Sequence, residues 1–294
     1  MEFLPQVILD GLMIGGIYIL VAMGFSMAFG VMHIIDMAVG EWIMLGAFLG
    51  YYLNHWTNID PFFLLPVAFV LFFIIGYFLQ PVIQHSISGK RGNPLLMGLV
   101  FTFGLMMIIK GLGLTFFGFY SRSITSVLSN KTLLFSRGDI FLTIPMVRLA
   151  GLMFALFVFT CLNLMLKKTY FGTGVRALAQ NREAAGLMGV NSSKTASYVY
   201  GIYVGISAMT GILVATIFSM TAMGGGHYTV LAFFIVVLAG MGYLPGVPWA
   251  AFLLGFIQSF FIVYISASYT LLAVFAILYF ILLISPKGLF GKGW

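Results

Sequence analysis

Apolar residues in this chain come in long unbroken runs separated by short polar breaks. The runs show neither the alternation of half-buried strands nor the single stripe of a soluble helix. They fall at roughly residues 8–30, 35–53, 61–82, 95–117, 143–166, 196–221, 227–245, 247–267 and 269–285. A run of about 18 residues or more is long enough to cross a hydrocarbon core as a helix. A closed barrel is the other structure that satisfies its backbone in lipid, but its strands are short and alternate in polarity. The pattern therefore predicts an all-α fold, a polytopic transmembrane helix bundle of about nine spans within a range of eight to ten. No stretch is long enough for a separate soluble domain, so residues 1–294 read as a single transmembrane domain. The last three runs are so close together that one of them reads as a re-entrant or broken helix.

Composition agrees. The chain is 62% hydrophobic and 7% charged, with a mean hydropathy of +1.11, whereas a soluble domain is about 25% charged. A net charge of +7 would point to nucleic acid in a soluble protein. Here the basic residues lie between the runs, so they read as topology signals and imply no nucleic-acid partner. Lys90 and Arg91, then Lys167, Lys168, Arg176, Arg182 and Lys194, then Lys287 and Lys292 fall on one side if nine spans are counted. That side is expected to be cytoplasmic, with Arg122, Lys131, Arg137 and Arg148 opposite. The expected placement is multi-pass in the inner (plasma) membrane, N-terminus outside and C-terminus cytoplasmic. Glu2 and Asp10 open the chain with no Lys or Arg, unlike a signal peptide, so the first run reads as retained. The single cysteine, Cys161, permits no internal disulfide and is expected to be a small buried hydrophobe. His33, His55 and His85 fall at run edges and His227 follows a glycine cluster, so neither a metal site nor a cofactor is expected.

Ionisable groups inside spans are costly and mark functional positions. Lys110 lies midway along an apolar run and is a candidate for the translocation path. Asp36 and Glu41, near the start of the second run, are further candidates; the plainer alternative is two carboxylates favouring a helix N-terminus. Asp10 is expected at the outer interface. Glycine is abundant at 35 residues, and most of it is expected to serve close helix packing. Gly224, Gly225 and Gly226, and Gly240 and Gly242 with Pro245 following, are instead expected to break helices, making them gating candidates.

The longest cytoplasmic connection, about residues 167–194, exceeds what a simple joint needs. It reads as one short helix from about Gly174 to Met188, stopped by Gly189, with Asn191 and Ser192 placed to cap the next helix. Glu183-Ala184-Ala185, three residues and Gly189 resemble the Glu-Ala-Ala loop of ABC-importer permeases. The wider segment GTGVRALAQNREAAGLMGVN resembles the same loop in branched-chain amino-acid permeases of the LivH/LivM type. So do the opening GLMIGGIYILVAMGFSMAFGVMHIIDMAVGEWIMLGAF, the late VVLAGMGYLPGVPWAAFLLGFIQS and the terminal SPKGLFGK, in the right order over most of the chain. Where that family often reads Asn-Phe-Ala-His-Gly-Glu, this chain has Asp36-Met37-Ala38-Val39-Gly40-Glu41.

The resemblance implies an ABC-importer permease subunit for branched-chain or related small amino acids, without an ATPase site of its own. No Gly-x-x-x-x-Gly-Lys-Ser/Thr loop is present in the chain. Implied partners are cytoplasmic ATP-binding subunits, a second related permease, an extracytoplasmic substrate-binding protein and the lipid bilayer. By the same likeness Arg176, Arg182, Glu183, Ala184, Ala185, Gly186 and Gly189 form the ATPase-coupling element, its small residues allowing close contact with the partner. The competing reading is a secondary transporter or channel that needs no ATPase.

Overall fold

The computed structural model describes residues 4–87, 94–137, 140–285 and 288–291. Lys90, Arg91, Lys287 and Lys292, used above for orientation, lie outside the described residues. In chain order the elements are α1 (Leu4–Met32), α2 (Val39–Thr57), α3 (Pro61–Ile87), α4 (Pro94–Phe117), β1 (Thr132–Arg137), β2 (Ile140–Pro145), α5 (Met146–Lys168), α6 (Tyr170–Gln180), α7 (Arg182–Leu187), α8 (Ser192–Ile217), α9 (Gly225–Ala239), α10 (Val247–Tyr264) and α11 (Thr270–Ile284). Every apolar run has become a helix. Among the described residues seven helices are long and apolar enough to cross a membrane: α1, α3, α4, α5 and α8, with α10 and α11 counted together with the 3-10 turns before them. The remaining two long helices fall short for different reasons. The 19 residues of α2 include Glu41, Asn54 and His55, which dilute its apolar character. The 15 residues of α9 span about 22 Å at a rise of 1.5 Å per residue, less than a core of about 30 Å.

The all-helical expectation fails at one place. Strands β1 and β2 form an antiparallel hairpin, with Thr132 opposite Pro145, so the run expected from residue 143 turns helical only at Met146. The side chain of Gln6 secures this hairpin: its amide donates to the Thr143 carbonyl at 3.0 Å and its oxygen accepts the Thr143 N–H at 3.0 Å. Asp10 pairs with Arg148 at 3.3 Å beside it, half-exposed, at the same end of the bundle.

Helices α1 and α8 are almost wholly buried and form the axis of the bundle. Small residues bring the others onto them. Gly11 and Gly15 seat α10 at Phe256 and Phe252, with the two helices antiparallel. Gly46 lies on Ala208, and Asp36 is level with Tyr200, so α2 runs parallel to α8. Gly76 meets Gly201 while Gln80 accepts a hydrogen bond from Ser197 at 3.0 Å, so α3 runs antiparallel to α8. In lipid no hydrophobic drive brings helices together, so backbone approach of this kind supplies the contact. Cys161 corrects an expectation: it is exposed on the outer face of α5, lining an apolar groove with Pro66, Phe73 and Phe157. That run is apolar on all sides, so its sequence carried no sign of which face turns outward.

Candidate functional site

Two places gather the residues singled out by the sequence. The first is the entry to α2. After α1 the chain turns through His33, in the left-handed region at φ 53°. Asp36 then folds back, one carboxylate oxygen accepting the Ala38 N–H at 2.8 Å and the other the Tyr200 hydroxyl at 2.8 Å. The ring of Tyr203 lies beside Tyr200, with centroids 5.3 Å apart. From the other side Thr102 of α4 donates to the Ile35 carbonyl at 3.0 Å and accepts the Met37 N–H at 3.3 Å. Asp36 is therefore buried and satisfied, a fastening of the turn rather than a cap, since the cap position is Ala38.

The first turn of α2 packs against the start of α9. The Gly40 N–H donates to the Thr229 hydroxyl at 3.0 Å. Gly40 lies so close to Gly225 that any Cβ would enter the Gly225 carbonyl. Glu41 fills the space Gly225 leaves: a Cβ on that glycine would come within 2.6 Å of the carboxylate carbon and of both its oxygens. The Glu41 side chain is 0% exposed, and neither oxygen has a hydrogen-bond partner among the described residues. An ionised carboxylate held this way costs on the order of several kcal/mol unless a partner is supplied. The N-terminus of α9, with its unpaired N–H groups, offers a favourable field. Lys110 stands half-buried on α4 within electrostatic reach of Glu41, yet no ion pair within 4.0 Å joins them among the described residues. Its depth follows from the helix: Thr102 is level with Met37 and Gly113 lies 2.9 Å, measured from an added Cβ, from the Met44 methyl.

The glycine clusters sit at the breaks expected of them. Beyond α8 the chain folds back, Met220 and Arg122 exchanging backbone hydrogen bonds of 2.9 and 2.8 Å, and α9 then starts beside α2 with Gly224 as its cap residue. Gly226 has open space around it. At the other end Gly240 and Gly242, at φ 95° and 83°, turn the chain into the 3-10 turn that contains Pro245. The C-terminal segment docks there, the Leu289 N–H donating to the Leu238 carbonyl at 2.8 Å. Thr102, Tyr200 and Thr229 escaped the sequence reading; the available signal was a polar atom in an otherwise apolar run.

The second place is the connection between α5 and α8. A single helix over 174–188 was expected, but Asn181, extended at φ −157°, divides it into α6 and α7. Its side chain accepts the N–H groups of Glu183 at 2.9 Å and Ala184 at 3.0 Å, so the local cap outcompetes a continuous helix. Gly189, at φ 87°, stops α7 as expected. Asn191 accepts the Lys194 N–H at 3.0 Å and starts α8, while Ser192 is already its first residue. Two residues depart from expectation. Ala185 faces inward and is buried, so it cannot touch a partner surface. Arg176 donates to the Leu166 carbonyl near the end of α5 and ties α6 down. Arg182, Glu183, Ala184, Gly186 and Gly189 are exposed, flanked by bare apolar side chains: Tyr170 at 95%, Leu187 at 90% and Met188 at 86%.

The family model for the permease component of branched-chain amino acid transport systems matches residues 7–284. The chain belongs to this permease family. High-affinity branched-chain amino acid transport system permease protein LivH of Salmonella typhimurium is 23% identical over 299 residues, covering 99% of this chain and 96% of that one. LivH of Escherichia coli K12 matches with the same identity and coverage. BraD of Pseudomonas aeruginosa is 24% identical over 297 residues, with 98% and 95% covered. No solved structure matches the chain. For a permease, the two places have distinct capacities: an internal contact that buries a carboxyl group between α2 and α9, and an external ridge at the end of the bundle.

Proposed function

We propose that this permease subunit serves an ATP-driven importer of branched-chain or related small amino acids, with ATP hydrolysed by separate cytoplasmic subunits. The observation that carries the reading is the α6–α7 ridge, whose bare Tyr170, Leu187 and Met188 are covered by nothing among the described residues. Apolar side chains this exposed, rimmed by Arg182 and Glu183, suit a protein partner. Closure of an ATPase pair pushes on α7, and the push reaches α5 through Arg176 and α8 through the Gly189–Asn191 turn. A second related permease and an extracytoplasmic binding protein complete the assembly. The chain itself carries out no covalent chemistry. The reading includes nine crossings of the inner membrane, with α2 and α9 as the shorter ones, and a ridge facing the cytoplasm. Glu41 and Lys110 line the translocation path, Asp36 holds its turn, and Gly224–Gly226 with Gly240, Gly242 and Pro245 let α9 move.

Mild solubilisation of tagged permease from its native membrane tests this. An ATP-binding subunit should co-purify, and the exposed double change Leu187→Asp with Met188→Asp should abolish its recovery while the permease remains in the membrane. Recovery of no ATPase with the intact permease would sink the importer reading.

A further inference from the structure

We infer that Glu41 and Lys110 together recognise the two charges of a zwitterionic substrate, Glu41 taking the ammonium and Lys110 the carboxylate; this rests on the amino-acid reading above. Among the described residues Asp36 and Glu41 are the buried carboxylates, and they differ in one respect. Asp36 spends both oxygens on Ala38 and Tyr200, whereas both oxygens of Glu41 are unused. A cation-accepting group held ready and unspent at depth is what an alkylammonium needs, because it loses its hydration on entering lipid. The same substrate brings a carboxylate, and Lys110 is a half-buried cation within electrostatic reach of Glu41 that forms no ion pair with it. Separated opposite charges fit a molecule that carries both; two groups meant only for each other would be expected to close.

The packing around Glu41 indicates how access is gained. In this state the carboxylate is sealed against Gly225 and is 0% exposed. The seal is the start of α9, joined to α2 through the Gly40 to Thr229 hydrogen bond and little else polar. Gly224 and Gly226 flank it, the second with nothing within 4 Å of an added Cβ. Withdrawal of the α9 N-terminus uncovers both oxygens at once.

The test is leucine uptake by the assembled transporter in proteoliposomes. Glu41→Gln and Lys110→Met should each lower uptake about tenfold or more, the loss of one charge-assisted contact. Glu41→Asp should retain more uptake than Glu41→Gln, with recovery of the ATP-binding subunits unchanged in all three. The double variant Glu41→Gln with Lys110→Met separates recognition from a structural ion pair. If the two residues only neutralise each other, removing both charges restores uptake, and that recovery overturns the inference. Continued failure of the double variant supports it. Normal uptake by Glu41→Gln overturns the Glu41 assignment alone. A wild-type assembly that carries no amino acid overturns the amino-acid reading and this inference with it.

Discussion

At Gly40 one added methyl group would enter the carbonyl of Gly225, whereas at Gly104, on the outer side of α4, it would meet nothing within 4 Å. The two glycines look alike in the sequence, each set in an apolar helix. Gly40→Ala must push α2 and α9 apart, with the overpacking cost of about 1–3 kcal/mol. Gly104→Ala should be neutral or stabilising by up to about 1 kcal/mol, since alanine is the better helix former. Thermal unfolding of the purified variants in detergent checks both, and equal midpoints would contradict the tight α2–α9 contact. A similar contrast separates the two acids: Asp36 and Glu41 lie five positions apart, yet the first is satisfied by Tyr200 and the second has no hydrogen-bond partner among the described residues. That difference is made by residues more than 150 positions away, so no local pattern could report it.

At the scale of elements, α7 is six residues long and held in place by its ends rather than by its own hydrogen bonds. Asn181 starts it and Gly189 finishes it, the latter at φ 87°, where proline cannot follow because its ring holds φ near about −65°. Gly189→Pro should therefore change the angle at which α7 joins α8. Uptake should fall by a factor of about 5–150, the usual range of coupling between distant sites, while ATP hydrolysis continues. Glu183→Arg reverses a charge on the exposed ridge and should act in the same direction. Parallel assays of hydrolysis and uptake on the same proteoliposomes check the pair; normal uptake by both variants would remove α7 from the coupling path. The element was legible as a short helix stopped by Gly189, with a cap for the next helix at Asn191. Its division at Asn181 rests on a local side-chain cap that competes with the helix, whereas the inward turn of Ala185 was not legible because it depends on how the element packs on the bundle.

For the whole molecule, the hairpin, Asp10 and Arg148 share one end of the bundle and the α6–α7 ridge follows from the other end of α5. The proposed orientation puts the ridge in the cytoplasm. In a Cys161→Ser background, a cysteine at Lys131 should react with a membrane-impermeant maleimide on intact cells, and one at Arg182 only after permeabilisation. The reverse labelling would invert the orientation and with it the assignment of the ridge. Cys161 must be replaced first because it is a free thiol exposed on α5.

The sequence alone determined where helices form, the glycine-rich breaks around α9 and the stop at Gly189, because apolar run length, backbone freedom and capping are local properties. It also carried the family, whose motifs are spread over most of the chain. Only the tertiary structure decided which apolar faces turn inward. Helices α1 and α8 are largely buried while α4 and α11 bury few of their residues, although all four are strongly apolar. Lipid and protein interior are alike in polarity, so hydrophobicity cannot tell one surface from the other, and side-chain fit must. For the same reason the burial of Glu41 without a hydrogen-bond partner among the described residues belongs to the packing of α9 on α2, where Gly225 leaves room for the carboxyl group.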